Sequence, residues 1–168
     1  KVMGAYVATT ASERGEALVA RLGADRVIDY RKTDFWKVLH DYDCLYDVFG
    51  GKSLEEGFKI MRRGGRIVSL NGTPNARFGK AQHLGFLKTA ALRVMSLPLA
   101  VREKRYDVTY NMIFVRPDSR QLAILADLYE SERIVPVVDK VFPLAEAQAA
   151  LDYSQSGRAK GKIVLKVE

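Results

Sequence analysis

Cysteine, histidine and tryptophan are scarce in this chain: one Cys, two His and one Trp in 168 residues. A single cysteine, Cys44, excludes an internal disulfide. Together with His40 and His83 it makes up the soft metal ligands. These are too few for a zinc site, which takes three or four clustered ligands, so no metal is expected. No Ser-His-Asp or Cys-His arrangement is suggested either, and no catalytic residue is assigned. Two phosphate-loop look-alikes fail. Gly51-Lys52-Ser53 has Tyr46 where the first glycine of a P-loop belongs, and Gly161-Lys162 is followed by Ile163 instead of Ser or Thr. No apolar run reaches the roughly 20 residues of a spanning helix. The stretch 85–101 comes nearest, but Lys88 and Arg93 interrupt it and Pro98 stands near its end. Lys1-Val2-Met3-Gly4 shows no leader composition, and a cytoplasmic protein is expected.

What is present fits one domain. The chain is 48% hydrophobic and 28% charged, close to the globular average. Its net charge is +7, but the positive residues are dispersed apart from Arg102, Lys104 and Arg105. Solvated surface is the first reading of this excess, and a phosphate-bearing cofactor is the next. Nucleic acid is not expected, because there is no arginine-rich tract and no aromatic RNA-binding signature.

Strand and helix patterns alternate. Strands are expected at 6–9, 26–29, 44–48, 66–70, 108–115, 137–142 and 162–167. Between them run helical patterns: one capped by Ser12 and stopped at Gly23, a turn or two at 34–39, and 53–61 stopped at Gly64-Gly65. Two more follow, 121–129 with Leu122, Leu125 and Leu128 inward, and 144–154. The segment 75–105 breaks the rhythm and is longer than an ordinary connection. This order argues for an α/β sheet wound in parallel, in which ligands bind beyond the carboxyl ends of the strands.

The first strand end is the most informative. Thr9, Thr10 and Ser12 are followed by Arg14, with no acid at the strand tip. An acid there would bind the two ribose hydroxyls of an adenosine cofactor. Hydroxyls with a guanidinium suit a 2′-phosphate. Taken alone, these residues read first as a Ser N-cap with an exposed Arg on the following helix. A dinucleotide fold also needs G-x-G-x-x-G after its first strand, and this sequence has none. If 6–9 is the second strand, the first strand and its glycine loop would precede Lys1.

With these residues in view, the chain resembles the C-terminal cofactor domain of medium-chain dehydrogenases/reductases, in the zinc-free quinone oxidoreductase and enoyl-reductase-like branch. The motifs that carry the likeness are M-G-A-Y-V-A-T-T-A-S, L-G-A-D-R-V-I-D-Y-R, Y-D-V-F-G-G-K-S-L, R-R-G-G-R-I-V-S-L-N-G, F-V-R-P-D, V-P-V-V-D-K-V-F-P-L-A-E-A and S-G-R-A-K-G-K-I-V-L-K-V, in that order.

The resemblance implies a Rossmann-like doubly wound parallel sheet lacking the first strand and the glycine-rich loop. Residues 1–168 would be a partial dinucleotide-binding domain, with the N-terminal catalytic barrel absent and the 168 residues inactive alone. It implies NADPH as cofactor and reduction of a quinone or an activated C=C bond by hydride transfer, with a quinone or enone as substrate. Ser12, Arg14 and Tyr30 would meet the adenosine 2′-phosphate end. Val48, Phe49, Gly50 and Gly51 would line the adenosine side of the cleft. Asn71, Gly72 and Thr73, with Phe114 and Val115, would lie beside the nicotinamide, and Lys162 would be the closing basic residue. It also implies a homodimer paired through the strand at 108–115. The alternative is a non-catalytic nucleotide-binding or protein-interaction module with the same sheet.

Overall fold

Seven strands and seven α-helices alternate along residues 1–167, the part of the chain that the computed structural model describes. In chain order they are β1 (Ala8–Ala11), α1 (Glu13–Arg21), β2 (Arg26–Asp29), β3 (Tyr42–Asp47), α2 (Gly51–Gly57), β4 (Met61–Ser69), α3 (Ala76–Ala81), α4 (Phe86–Met95), α5 (Leu97–Tyr106), β5 (Thr109–Met112), α6 (Ser119–Glu130), β6 (Val138–Pro143), α7 (Ala147–Gln155) and β7 (Lys162–Lys166). Short 3-10 turns stand at Phe35–Lys37, Phe58–Ile60 and Leu144–Glu146.

The chain forms two compact units, residues 28–116 and residues 1–27 with those from 117 onward. Where one continuous sheet was expected, pairing among the described residues is in three pieces: β1 with β2, β3 with β4 and β5, and β6 with β7. The β3–β4, β4–β5 and β6–β7 pairs are all parallel. Each pair is joined by a crossover that contains a helix, the connection parallel strands require.

The core of residues 28–116 lies against the middle of β3–β4–β5. In register, Leu45 meets Ile67 and Ile67 meets Tyr110. Ile67 and Tyr110 are fully buried, as is Phe58 in the turn before β4, and Leu54, Ile60, Leu99 and Val108 close around them. Along β4, Gly65, Ile67 and Ser69 point inward while Arg66 points out, the period of two that a strand imposes.

Several boundaries differ from expectation. Gly64-Gly65 does not stop a helix. α2 ends at Gly57, and β4 runs through the two glycines with a bulge: Tyr42 pairs Met61, and Cys44 then pairs Arg66. The reason is burial. Phe58, Ile60 and Met61 are all buried, and three such positions in four residues do not fit one helical face. The expected strand 108–115 shortens to β5, because Ser69, the last residue of β4, pairs with Met112 and its carbonyl accepts the last ladder bond from the Ile113 N–H. Beyond that the ladder has no partner, and Phe114 and Val115 leave the sheet. β1 starts two residues later than expected, and β3 begins at Tyr42 and ends at Asp47.

The segment 75–105 is a run of three helices. Asn75 caps α3 by accepting the Phe78 N–H at 3.0 Å, Pro98 sits in the first turn of α5, and Asp107, left-handed at φ 54°, ends it.

In residues 1–27 and 117 onward, Phe142 and Ala150 are buried where α7 covers β6 and β7. Asp118 caps α6 through the Arg120 and Gln121 N–H groups. Leu122 and Leu125, expected inward, are exposed at 68% and 45%. Their spacing makes one face of α6 apolar, but no residue of α6 is buried, and Leu128, expected inward with them, is half-buried.

Truncating Ile67 to Ala empties the centre of the β3–β4–β5 core and is expected to destabilise the chain by about 2–5 kcal/mol. Urea unfolding of the two proteins measures the difference.

Candidate functional site

Two parallel strands end side by side on polar residues. Asp47 closes β3, Ser69 closes β4, and the two are partners in register. Both are buried, Asp47 at 4% and Ser69 at 0% exposure. A buried carboxylate must have its lone pairs filled, and this one does. Ser69 Oγ donates to it at 2.6 Å, the Gly50 N–H at 3.0 Å and the Phe49 N–H at 3.3 Å. The Asp47 carbonyl accepts the Leu70 N–H at 2.9 Å.

These bonds tie together two loops. The first is Val48–Gly51, with Val48 and Phe49 exposed. The second is 71–74. Asn71 Nδ2 reaches the Phe49 carbonyl at 3.3 Å, and the Asn71 N–H donates to Ser69 Oγ at 3.3 Å. Gly50 has φ +69°, and a Cβ there would stand 2.2 Å from the Asn71 carbonyl oxygen. Any other residue would push the loops apart. Tyr110, beneath them on β5, donates its hydroxyl to the Thr73 carbonyl at 2.9 Å.

Above the loops is an open cleft of about 420 Å³, within the size range of small-molecule sites. It is lined by Gly51 and residues 71–74 of the two loops and by apolar residues, Leu54 from α2, Met95 from α4, and Pro98 and Leu99 from α5. Glu55 stands in the lining and is paired with Arg102 at 2.6 Å. The segment 75–105 therefore builds one wall of the cleft.

The structure brings Val48–Gly51 and Asn71–Thr73, which the sequence reading assigned to the adenosine and the nicotinamide ends separately, into direct hydrogen-bonded contact. Phe114 is not in the cleft lining. It is 57% exposed and packs edge-on to Phe78 at 5.0 Å. Val115 is 90% exposed. Tyr30 follows β2 and is exposed, with the Arg31 guanidinium 6.0 Å from its ring centre. Lys162 opens β7, and its N–H is bound to the Val137 carbonyl. Ser12 and Arg14 share the start of α1, but Ser12 makes no side-chain capping bond, which departs from the plain N-cap reading. The ammonium of Lys160 is bonded to the Arg14 carbonyl, so a second cation stands at this helix start. Sequence reasoning passed over Lys160, Asp47, Ser69, Tyr110 and the apolar wall. For Asp47 and Ser69 a signal existed, a polar residue closing each of two adjacent strands. Among the described residues, no three His, Cys, Asp or Glu side chains are grouped so as to hold a metal ion.

Residues 22–165 match the family described as Zinc-binding dehydrogenase. The chain belongs to that family. The NAD(P)H oxidoreductase RTN4IP1, mitochondrial, of Danio rerio is 29% identical over 176 residues, covering 99% of this chain and 44% of its own length. The NADPH-dependent alkenal/one oxidoreductase, chloroplastic, of Arabidopsis thaliana is 29% identical over 161 residues, covering 95% of this chain and 33% of its own length. The solved quinone oxidoreductase of Coxiella burnetii shares the fold at a TM-score of 0.72 and 23% identity, over 98% of this chain and 46% of that one. The resemblance to medium-chain dehydrogenases/reductases read from the motifs is thus borne out, and the parallel α/β architecture matches their Rossmann-like domain. The chain spans less than half the length of these relatives. No helix among the described residues is long and apolar enough to cross a membrane.

Burial, and next the Asp47 charge, push the Tyr110 hydroxyl up to about 12 from the ordinary 10.0. The native state therefore keeps this proton where the unfolded chain has lost it. The stability tied to the group is present in full below pH 10 and falls as pH rises from 10 through about 12. Urea unfolding across this range is expected to show the decline, and Tyr110→Phe to reduce it.

Proposed function

We propose that this chain holds the cofactor in an NADPH-dependent oxidoreductase that reduces a quinone or an activated C=C bond. The observation that carries this reading is the pair of interlocked glycine loops at the carboxyl ends of adjacent parallel strands, facing a cleft. That is where open α/β sheets bind their ligands. The relatives named above are oxidoreductases, and one is named for NADPH. When bound, the cofactor supplies the hydride.

The residues present fit such a group. Gly51 lines the cleft, and a Cβ there would meet nothing within 4 Å, so backbone is open to a ligand at this point. Val48, Phe49, Gly50 and Gly51 are assigned to the adenosine side. Asn71, Gly72 and Thr73 are assigned to the nicotinamide side, with Phe114 and Val115, which follow the neighbouring strand β5. Leu54, Met95, Pro98 and Leu99 would keep water from the reacting face and strengthen the polar contacts made there. Ser12, Arg14 and Tyr30 are assigned to the 2′-phosphate, and Lys160 adds a second cation beside Arg14. Lys162 is kept as the closing basic residue. The chemistry is the cofactor's, and these side chains bind and orient.

Arg14→Ala is expected to weaken NADPH binding by about tenfold or more, the scale of a charged hydrogen bond, and to leave NADH nearly unchanged. Fluorescence titration with both nucleotides decides it, and equal losses for the two would remove Arg14 from the phosphate site.

The homodimer belongs to the same reading. β5 is an edge strand, hydrogen-bonded to β4 on one side, and its free edge would meet β5 of a second copy. Light scattering at micromolar concentration is expected to give twice the chain mass, and a monomer mass would contradict it.

A further inference from the structure

The loop at 71–74 is held at Asn71 by Ser69 and Phe49, and at Gly72 and Thr73 it lies on the Tyr110 hydroxyl. A Cβ built on Gly72 would stand 2.2 Å from Tyr110 Oη and 2.9 Å from Ser69 Oγ. Its absence lets the backbone lie directly on the phenol, and the phenol then donates to the carbonyl of the next residue, Thr73, at 2.9 Å. The tyrosine itself is fully buried and held along its main chain. Its N–H donates to Glu103 at 2.7 Å, and its carbonyl accepts from Asn75 at 3.0 Å and from Arg77 at 3.1 Å. Glu103 is fixed in turn by Arg77 at 2.6 Å. The hydroxyl therefore has one place to be, and the loop above it takes its height from that place. Ser69 carries the restraint across to the other loop through Asp47 and Gly50.

We propose that Tyr110 is a positioning residue for the cleft: it fixes Gly72 and Thr73 against a bound ligand and acts on that ligand only through them. Tyr110 is not in the cleft lining, so it makes no contact of its own with an occupant. On the reading given above, the end of the ligand it serves is the nicotinamide side of NADPH. That part of the proposal rests on the proposed function, whereas the placement of the loop does not.

Tyr110→Phe keeps the ring and removes one O–H. Hydrogen exchange is expected to quicken by about fivefold at the Asn71 amide, the loop N–H that is hydrogen-bonded, to Ser69 Oγ, the ratio that one hydrogen bond of ordinary net strength gives, with β3 and β4 amides unchanged. No change at the loop, or an equal rise through β3, β4 and β5, overturns the proposal, since the latter is what loosened core packing would do. In a second arm the chain and the variant are titrated with NADPH and with 2′,5′-ADP, which carries only the adenosine end. NADPH is expected to weaken about fivefold in the variant and 2′,5′-ADP to bind as before. Unchanged NADPH binding, or equal weakening of both, overturns the positioning role. A wild-type chain that binds neither nucleotide contradicts the cofactor reading, and the exchange result then decides on Tyr110 alone.

Discussion

One buried carboxylate organises the candidate site. Asp47 ends its strand inside the molecule, where an unpaired charge would be strongly unfavourable. Its partners are the hydroxyl that ends the next strand and two main-chain amides of the loop that follows it. Satisfying the charge therefore fixes a turn, and the turn requires Gly50, whose missing Cβ leaves room for the Asn71 carbonyl. The second loop is drawn in by Ser69 and seated on Tyr110. The geometry of the cleft floor follows from keeping one buried carboxyl group hydrogen-bonded out of water.

Polar restraint below and apolar cover beside the cleft have different origins. The floor is made by strand ends, whose positions are set by ladder hydrogen bonds. The wall is made by α4 and α5, which no ladder constrains. Their place comes from Leu99 packing inward and from the Arg102–Glu55 and Arg77–Glu103 pairs. The Arg102–Glu55 pair is partly exposed and of modest worth in stability. It does fix which face of α5 meets α2, and thus which side chains line the cleft.

The charge of the chain also resolves into parts. Its net value is +7. Arg77 and Arg102 are paired within residues 28–116, and the start of α1 carries Arg14 with the Lys160 ammonium at its carbonyl. Lys160 lies 146 positions along the chain from Arg14. The fold, not local sequence, makes them neighbours.

The alternation of elements was legible from periodicity, because a strand shows its buried face every second residue and a helix every third or fourth. So was the position of the loops at 48–51 and 71–73 at strand ends, since both follow strand patterns and carry glycines, but not that the two loops bond to each other. Ordered motifs along the chain were enough to identify the family. Sequence could not give the ends of ladders: β5 stops at Met112 only because Ser69 ends β4. Nor could it tell an apolar face from a covered one, as Leu122 and Leu125 show on α6. Asp47, Ser69 and Tyr110 stand in separate strands, and the fold alone makes them a network. By itself the sequence determined which elements form and which family they belong to, because those follow from local pattern. Only the tertiary structure decided how the site is held, because hydrogen bonds between distant residues exist only after the strands have found their register.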